Sequence, residues 1–419
     1  MSEPIRTDVI VAGAGMAGAT FGLACAHAGL GCVLVDPLPF ETQLEPTFDG
    51  RASAIAWSSF RQWRVLGAAE ALEPHACRID HILVTDGKSP GAASGRGSPA
   101  FLKFDAAEIA DRSGGEPMGW MVENRHTRMA LSRAVAERAE AITVLAPARA
   151  ADIEVRPGGV TVTLADGRTL EAPLLVGADG RGSFVRDKAG IGMTGWDYAQ
   201  CGVVATVQME HDHGNTAHEY FLPGGPFAIL PLTGNRASLV WTEPKDRAGA
   251  LRTASQEAFE AHLRRRFGDF LGEVRTVGPR FVYPLSLSLA ERMTAPRIAL
   301  LGDAAHGIHP IAGQGLNLGL KDVAALAEVL AEAMRLGEDI GSEAVLERYA
   351  RWRRFDNTII AASSDAFVRL FSNDQPLVRA VRDAGLAVVN RIAPARAFFM
   401  QEAGGSVGDL PRLLRGQAL

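Results

Sequence analysis

The sequence has few cysteines, and none lies close enough to another to form a paired motif. Its 419 residues contain Cys25, Cys32, Cys77 and Cys201, with no Cys-x-x-Cys spacing among them. This pattern argues against a disulfide scaffold, a zinc site of paired cysteines and a dithiol redox centre. A reducing cytoplasm is therefore the expected compartment.

Long apolar runs, a leader segment and an excess of positive charge are also missing. No stretch approaches the ~18 uncharged apolar residues of a transmembrane helix. The start "MSEPIRTDVIVAG" lacks the basic and apolar regions of a signal peptide. We expect a cytoplasmic protein, and peripheral contact with the inner face of the cytoplasmic membrane stays open. The net charge of −5 and pI near 6.1 argue against a nucleic-acid partner.

What is present is enough material for a large folded core. The chain is 47% hydrophobic and 22% charged, as in globular proteins. Its length exceeds that of one ordinary domain, so we expect two domains, possibly interleaved.

The first motif lies in "DVIVAGAGMAGATFGLACAHAGLGCVLVDP", which predicts a strand, a glycine turn, a helix and a second strand. Gly13, Gly15 and Gly18 have the Gly-x-Gly-x-x-Gly spacing that allows a tight turn and a close approach to a pyrophosphate. Asp36 ends the second strand, where an acid can accept hydrogen bonds from adenosine ribose hydroxyls. An acid at this position favours FAD or NAD over a cofactor with a 2′-phosphate.

The second motif, "LLVGADGRGSFVR" at Leu174–Arg186, predicts a buried strand that ends in a turn containing Asp179. Taken alone, an ordinary β-turn with an exposed aspartate explains it better than a binding site does. Its interest comes from its position between the first motif and the third.

The third motif is "LLGDAAHGIHPIAGQGLNLGLKDV", at Leu300–Val323. His306 and His309 suggest a metal site, but the surrounding glycines and proline disfavour a helix that would bring them together. The segment has no Ser, Cys or Thr to act as a nucleophile. A backbone cradle beside a helix start remains. There Asp303 can accept from a ribityl hydroxyl, and the helix start at Gly315–Asn317 can stabilise an anionic flavin edge.

The rest of the chain predicts a second domain and a helical end. Residues 196–288 are rich in strand patterns such as "CGVVATVQME" and "FAILPL", with a helix near 255–266. We predict an α/β fold: a Rossmann-like FAD-binding domain interleaved with a smaller, mainly antiparallel β-sheet substrate domain, followed by C-terminal helices. The expected boundaries are 1–75, 105–188 and 290–345 for FAD binding, 76–104 and 189–289 for substrate, and 346–419 for the C-terminal helices.

The three motifs, in this order, resemble the single-component FAD aromatic hydroxylases related to para-hydroxybenzoate hydroxylase. Several stretches resemble the ubiquinone-biosynthesis hydroxylase branch of that family: "HPIAGQGLNLGLKDV", "AHEYFLPGGPFAILPL", "YARWRRFDN", "FVRLFSND" and "GLAVVNRIAPARAFFMQEAGG". The resemblance extends from about residue 6 to about residue 414.

The resemblance implies a flavoprotein monooxygenase. Such enzymes bind FAD non-covalently, reduce it with NAD(P)H or another donor, and form a flavin C4a-hydroperoxide with O2. Here the expected substrate is a polyprenylated phenol on the way to ubiquinone. Another FAD-dependent hydroxylase or oxidase on the same fold is one alternative, and a nucleotide-binding scaffold without activity is another.

The resemblance also implies roles for individual residues, and it implies no metal. Arg51 and Arg125 are expected at the phosphates or ribityl chain, although a solvated surface role is the alternative for each. The expected FAD-binding residues are Gly13, Gly15, Met16, Ala17, Gly18, Asp36, Arg51, Arg125, Asp179, Asp303, Pro310, Gly313, Gly315, Leu316 and Asn317. The expected flavin-ring environment, with no acid or base assigned, is His309, Pro310, Gly313 and Gln314.

Two apolar groups have both a functional and a structural interpretation. Tyr220, Phe221, Phe227 and Trp241 are candidates for lining a substrate cavity, although aromatic residues in strands are more often core. The stripe in "GLAVVNRIAPARAFFM" predicts either a core or subunit-interface helix, as in a homo-oligomer or biosynthetic complex, or a surface that touches a bilayer.

Overall fold

The computed structural model describes residues 3–39, 42, 50–86, 101–222, 224–268, 270–308, 313–371 and 389–419. The strands, numbered along the chain, are β1 Ile5–Arg6, β2 Val9–Ala12, β3 Cys32–Val35, β4 Ala52–Ala56, β5 Ala76–Ile79, β6 His81–Asp86, β7 Phe101–Asp105, β8 Gly119–Glu123, β9 Ile142–Leu145, β10 Ala150–Arg156, β11 Gly159–Leu164, β12 Thr169–Ala172, β13 Leu174–Gly177, β14 Met193–Met209, β15 Thr216–Leu222, β16 Gly225–Leu232, β17 Arg236–Pro244, β18 Val274–Ala290, β19 Thr294–Ala295, β20 Ile298–Leu300 and β21 His306–Gly307.

The α-helices are α1 Met16–His27, α2 Trp57–Val65, α3 Ala110–Ser113, α4 Asn124–Ala136, α5 Phe184–Lys188, α6 Lys245–Thr253, α7 Gln256–Phe267, α8 Gln314–Arg335, α9 Glu343–Phe371 and α10 Ala393–Ala403. A single 3-10 turn at Gly302–Ala304 lies between β20 and β21.

A six-stranded sheet forms the centre of the nucleotide-binding part. Its order is β19-β20-β13-β2-β3-β9, with every pair parallel except β19–β20. All residues of β2, β13 and β20 are buried, so the buried strands predicted from their apolar runs are confirmed. The helix α1 packs between α4 and α8 beside this sheet, where its small side chains allow a close approach.

Two smaller sheets are formed mainly by strands that lie between those of the six-stranded sheet along the chain. The meander β10-β11-β12 is antiparallel, and β1 adds to it in parallel. The strands β4, β8 and β5 form an antiparallel sheet with β8 in the middle. This second sheet matters for the site because α8 begins against β4.

An eight-stranded sheet, ordered β21-β18-β14-β17-β16-β15-β6-β7, forms the second part of the molecule. Its neighbouring strands are antiparallel except β15 and β6, which are parallel. Because β6 and β7 precede the nucleotide-binding strands β9 and β13, the two parts are interleaved along the chain. The predicted fold class is confirmed, whereas the boundaries between the domains stay a prediction. The Gly/Ser/Pro-rich stretch at 89–100 lies outside the described residues.

The two faces of this sheet have different neighbours. One face packs against α6 and α7 in a closed hydrophobic cluster. The other face lies against the nucleotide-binding part, where Arg236 pairs with Glu123 at 3.0 Å. On the same face, Phe281 fills the space beside Gly50, since a Cβ built on Gly50 would lie 2.2 Å from its ring.

Helices complete the chain, as predicted. The helix α8 is buried from Asn317 through Ala331, and α9 packs against it. Within the described ranges, none of the helices combines the length and the apolar character needed to cross a membrane.

Candidate active site

Four loops meet at one edge of the six-stranded sheet. The strands β20, β13, β2 and β3 lie side by side. Their carboxyl ends lead into Asp303, Asp179, Gly13 and Asp36 respectively. In parallel α/β sheets ligands bind at this edge. The fold therefore brings together three motifs that are far apart in the sequence.

The glycine turn after β2 combines tight packing with one open position. Gly13 has φ +99°, and a Cβ there would lie 2.4 Å from the Ala178 carbonyl oxygen. A Cβ on Gly18 would lie 1.9 Å from the Gly13 carbonyl oxygen. A Cβ on Gly15, by contrast, meets no described atom within 4 Å. Gly15 therefore borders space through which a phosphate can approach the backbone.

The start of α1 suits an anion. Gly15 is its N-cap, no side chain caps it, and no acid lies in its first turn, which includes Met16 and Ala17. The first N–H groups of a helix lack partners within the helix, and the helix dipole is positive at this end. A pyrophosphate is the group that such a terminus binds in dinucleotide sites.

Asp36 is fixed at the same turn. It is 9% exposed, and its carboxylate accepts from the Ala14 N–H at 2.7 Å and from the Leu38 N–H at 2.9 Å. Each carboxylate oxygen has more than one acceptor position. The carboxylate is thus held in place and can still accept from a ribose hydroxyl.

The two downstream aspartates have different surroundings. Asp179 accepts from the Ser183 hydroxyl at 2.5 Å and from the Val185 N–H at 3.1 Å, so it supports the start of α5, whose N-cap is Ser183. The Asp303 side chain is 51% exposed, and the Arg181 guanidinium approaches it at 3.4 Å. Asp303 therefore lies at the open edge of the site, whereas Asp179 is occupied with local structure.

The beginning of α8 is attached to β4. Gly313 has φ +63°, and a Cβ there would lie 2.9 Å from the Ala54 Cβ. The Asn317 amide accepts from the Ala56 N–H at 2.9 Å and donates to the Ala54 carbonyl at 2.8 Å. Because Asn317 is only 2% exposed, its side chain serves this attachment. Any contact of Asn317 with the flavin stays a prediction.

The neighbouring predicted residues surround this junction. Gln314, Gly315 and Leu316 are half-buried in the first turn of α8. Arg51 is exposed immediately before β4, and its carbonyl accepts from the Asn124 N–H at 2.9 Å. His309 and Pro310, which were expected beside the flavin ring, lie outside the described residues.

Arg125 lies where the three-stranded sheet meets the eight-stranded sheet. Its guanidinium donates to Glu123 at 3.0 Å, and Glu123 also binds Arg236. Burial alone would raise the pKa of Glu123, but Arg236 and Arg125 outweigh it and hold that pKa below its ordinary value. An FAD contact for Arg125 stays a prediction.

Beneath the Asp303 loop lies a buried ionic network that sequence reasoning missed. Asp322 is fully buried and accepts from His306 at 2.5 Å, from Arg353 at 2.8 Å and from the Gly302 N–H at 3.1 Å. Burial would raise the pKa of Asp322, but His306 and Arg353 together hold it below its ordinary value. A charged residue in the apolar run "LGLKDVAALAEVLA" was the available signal.

The four predicted substrate aromatics divide between the two faces of the eight-stranded sheet. Tyr220, Phe227 and Trp241 are at most 3% exposed and belong to the cluster that packs on α6 and α7. Trp241 lies 6.0 Å from Phe259 of α7, between ring centres. This placement favours the core alternative for these three rings. Phe221 packs with residues of the nucleotide-binding part, and a substrate contact for it stays a prediction.

The Gly-x-Ser-x-Gly pattern at residues 404–408 does not form a nucleophile elbow. A nucleophile elbow lies between a strand and a helix. Here Gly404 follows α10, and Ser406 donates to the Gln401 carbonyl at 3.1 Å.

The geometry fits FAD. Open space at Gly15, an uncapped helix start, a fixed carboxylate at Asp36 and an exposed carboxylate at Asp303 lie along one edge of the sheet. These groups match a pyrophosphate, a ribose and a polyol chain.

Comparison with known proteins decides the family. The FAD binding domain family matches residues 6–358. The chain belongs to this family. Its relatives include ubiquinone hydroxylase UbiL of Rhodospirillum rubrum, 46% identical over 98% of this chain and 93% of the relative. The 3-demethoxyubiquinol 3-hydroxylase of Escherichia coli is 35% identical over 92% of this chain and 95% of the relative.

These relatives confirm the resemblance to the ubiquinone-biosynthesis hydroxylase branch of the FAD-dependent aromatic monooxygenases. Among solved structures, p-nitrophenol 4-monooxygenase PnpA of Pseudomonas putida matches with a TM-score of 0.79 at 19% identity, over 98% of this chain and 100% of that chain. At that identity the structural likeness supports the fold.

Proposed function

We propose that this member of the FAD-binding family is a flavoprotein monooxygenase that hydroxylates the aromatic ring of a polyprenylated phenol in ubiquinone biosynthesis. The similarity to ubiquinone hydroxylase UbiL over nearly the whole chain carries the proposal. The meeting of the three motifs at one sheet edge supplies the physical support. NAD(P)H is the expected electron donor.

The protein's own groups bind and orient. The α1 start and Gly15 receive the pyrophosphate, Asp36 the adenosine ribose and Asp303 the ribityl chain. Bound FAD supplies the activation of O2. The eight-stranded sheet faces the nucleotide-binding part, and a ring bound between them would be shielded from water by the apolar side chains of that face.

The test uses the purified protein with FAD, NAD(P)H, O2 and a polyprenylated phenol in detergent. We expect yellow protein that releases FAD on heating and a product one oxygen atom heavier than the phenol. Stoichiometric H2O2 without a hydroxylated product would support an oxidase instead. Colourless protein without FAD would support the scaffold alternative.

Genetic complementation identifies which ring-hydroxylation step the protein catalyses. The gene is introduced into strains that are each blocked at one ring hydroxylation, and the accumulated quinone precursors are identified by mass. Rescue of one or more strains is expected and names the ring position. Rescue of none would reject the ubiquinone assignment.

We further propose that α10 touches the bilayer that holds the substrate. Ile392, Phe398 and Phe399 are exposed at 47%, 53% and 39%, and Arg391, which precedes Ile392, is exposed as well. Exposed aromatic residues next to a cation suit the headgroup boundary of an anionic membrane.

Sedimentation with phosphatidylglycerol vesicles tests this contact. The double substitution Phe398→Ser and Phe399→Ser is expected to reduce the bound fraction several-fold. Val155→Ser is the control, because Val155 is 41% exposed on β10 of the four-stranded sheet. Equal binding of the wild type and the double variant would contradict a bilayer contact through α10.

A further inference from the structure

One transverse row of side chains crosses the eight-stranded sheet on the face toward the nucleotide-binding part. Residues in register on adjacent strands have side chains on the same face. The register of the strands defines the open row as Val84, Glu219, Ala228, Val240, Val204 and Phe281. All of these except Ala228 are half-buried although they lie inside the sheet, which indicates a concavity above them.

Glu219 is the polar member of this row. Among the described residues, no group hydrogen-bonds or pairs with its carboxyl, and burial is the sole cause that raises its pKa to about 8. Burying a carboxyl without a hydrogen-bond partner costs free energy, unless a ligand or a water molecule forms the missing hydrogen bonds.

The residues in register with Glu219 on the two adjacent strands are apolar. On β6, Ile82 and Val84 are uncharged, and β16 contributes Ala228 and Leu230. On the same face, Arg236 pairs with Glu123, which also accepts from Arg125. A neutral carboxyl can donate one hydrogen bond and accept others, so it suits a ring oxygen in an otherwise apolar space.

We infer that Glu219 is a substrate-binding residue whose carboxyl hydrogen-bonds an oxygen substituent of the aromatic ring and thereby orients the ring in the open row. This inference rests on the proposed function. The apolar side chains of the open row contact the ring without selecting its orientation, because dispersion contacts have no preferred direction. The hydrogen bond from Glu219 is directional and therefore orients the ring.

A two-by-two comparison of protein and ligand tests the assignment. The probes are 2-geranylphenol and geranylbenzene, which differ by the ring oxygen, and Kd is measured at pH 7 on the FAD-loaded protein. Glu219→Leu is expected to weaken 2-geranylphenol binding about tenfold and to leave geranylbenzene binding within about threefold. Glu219→Gln, which keeps neutral hydrogen-bonding groups, is expected to retain most of the preference for the phenol.

Val240→Ala is the matched control from the same row and is expected to weaken both ligands equally. Equal losses for the two ligands in Glu219→Leu would overturn the assignment while leaving the proposed function intact. A wild-type protein that neither binds nor hydroxylates 2-geranylphenol would overturn the proposed function and the assignment together. Loss of the preference in Glu219→Leu with its return in Glu219→Gln supports the assignment.

Discussion

Two neighbouring rows of the eight-stranded sheet, one residue apart in each strand, are packed differently. The closed row is defined by register as Thr85, Tyr220, Phe227, Trp241, Val203 and Val282, and all but Val282 are buried. The open row on the opposite face holds Glu219 and is mostly half-buried. Alternation along the same strands thus gives one face a structural role and the other a space for a ligand.

The two aspartates of the third motif repeat this contrast. Asp322 is fully buried and binds His306 and Arg353, whereas Asp303 is 51% exposed at the sheet edge. Only the exposed carboxylate has room for a ligand. Substitutions on the buried side should therefore change folding, and substitutions on the open side should change binding.

The largest effect is expected at the buried aspartate. Asp322→Ala should lower the free energy of unfolding by roughly 3–5 kcal/mol, because it takes from the buried guanidinium of Arg353 one of its two carboxylate partners and leaves only Asp356. Urea unfolding at saturating FAD measures the change. Because the pKa of Asp322 is lowered, the pair contributes stability above the ordinary carboxyl pKa and loses it as pH falls. An unaltered unfolding midpoint would show that the network contributes little.

The second-largest loss of stability is expected in the closed row. Phe227→Ala should lower the free energy of unfolding by about 3 kcal/mol, because it opens a cavity between the sheet and α7. Val240→Ala, from the open row, should cost about 1 kcal/mol since its side chain already borders space. Similar losses for the two variants would remove the distinction between the rows.

Glu219→Gln should stabilise the protein, with a dependence on pH. Burial raises the pKa of Glu219 from the ordinary 4.5 to about 8, so its contribution to stability is full below about pH 4.5 and is lost as pH rises through 8. At pH 9 the variant should gain roughly 2 kcal/mol over the wild type, about half of the full conversion because the side chain is half-buried. The gain should vanish near pH 4, and a pH-independent difference would refute this account.

The smallest effect on stability is expected at Asp303. Asp303→Ala should change unfolding of the apoprotein by less than about 0.5 kcal/mol, because its pair with Arg181 is exposed. It should nevertheless lose most bound FAD, measured from flavin absorbance after gel filtration. Asp166→Ala is the control. Asp166 is 48% exposed and pairs with Arg168 in the turn between β11 and β12. Unchanged flavin content would show that Asp303 is outside the site.

Much of the nucleotide-binding part was predictable because its information is local. Gly13, Gly15 and Gly18 specify a turn by their lack of side chains, and Val9–Val11 specify a buried parallel strand by their apolar run. Family resemblance added the function and the motif roles. Glu219 was missed because one carboxylate in a strand pattern looks like an ordinary solvent-facing residue.

The sequence by itself determined the glycine turn, the buried strands, the order of the motifs and the family to which the chain belongs. Tertiary structure decided which side chains face open space. Alternation along β15 assigns Tyr220 and Glu219 to opposite faces, but the packing of α6 and α7 decides that the face of Tyr220 is the closed one. Likewise, Asp303 and Asp322 are both aspartates near glycines in the sequence, and only the position of Arg353 buries one of them.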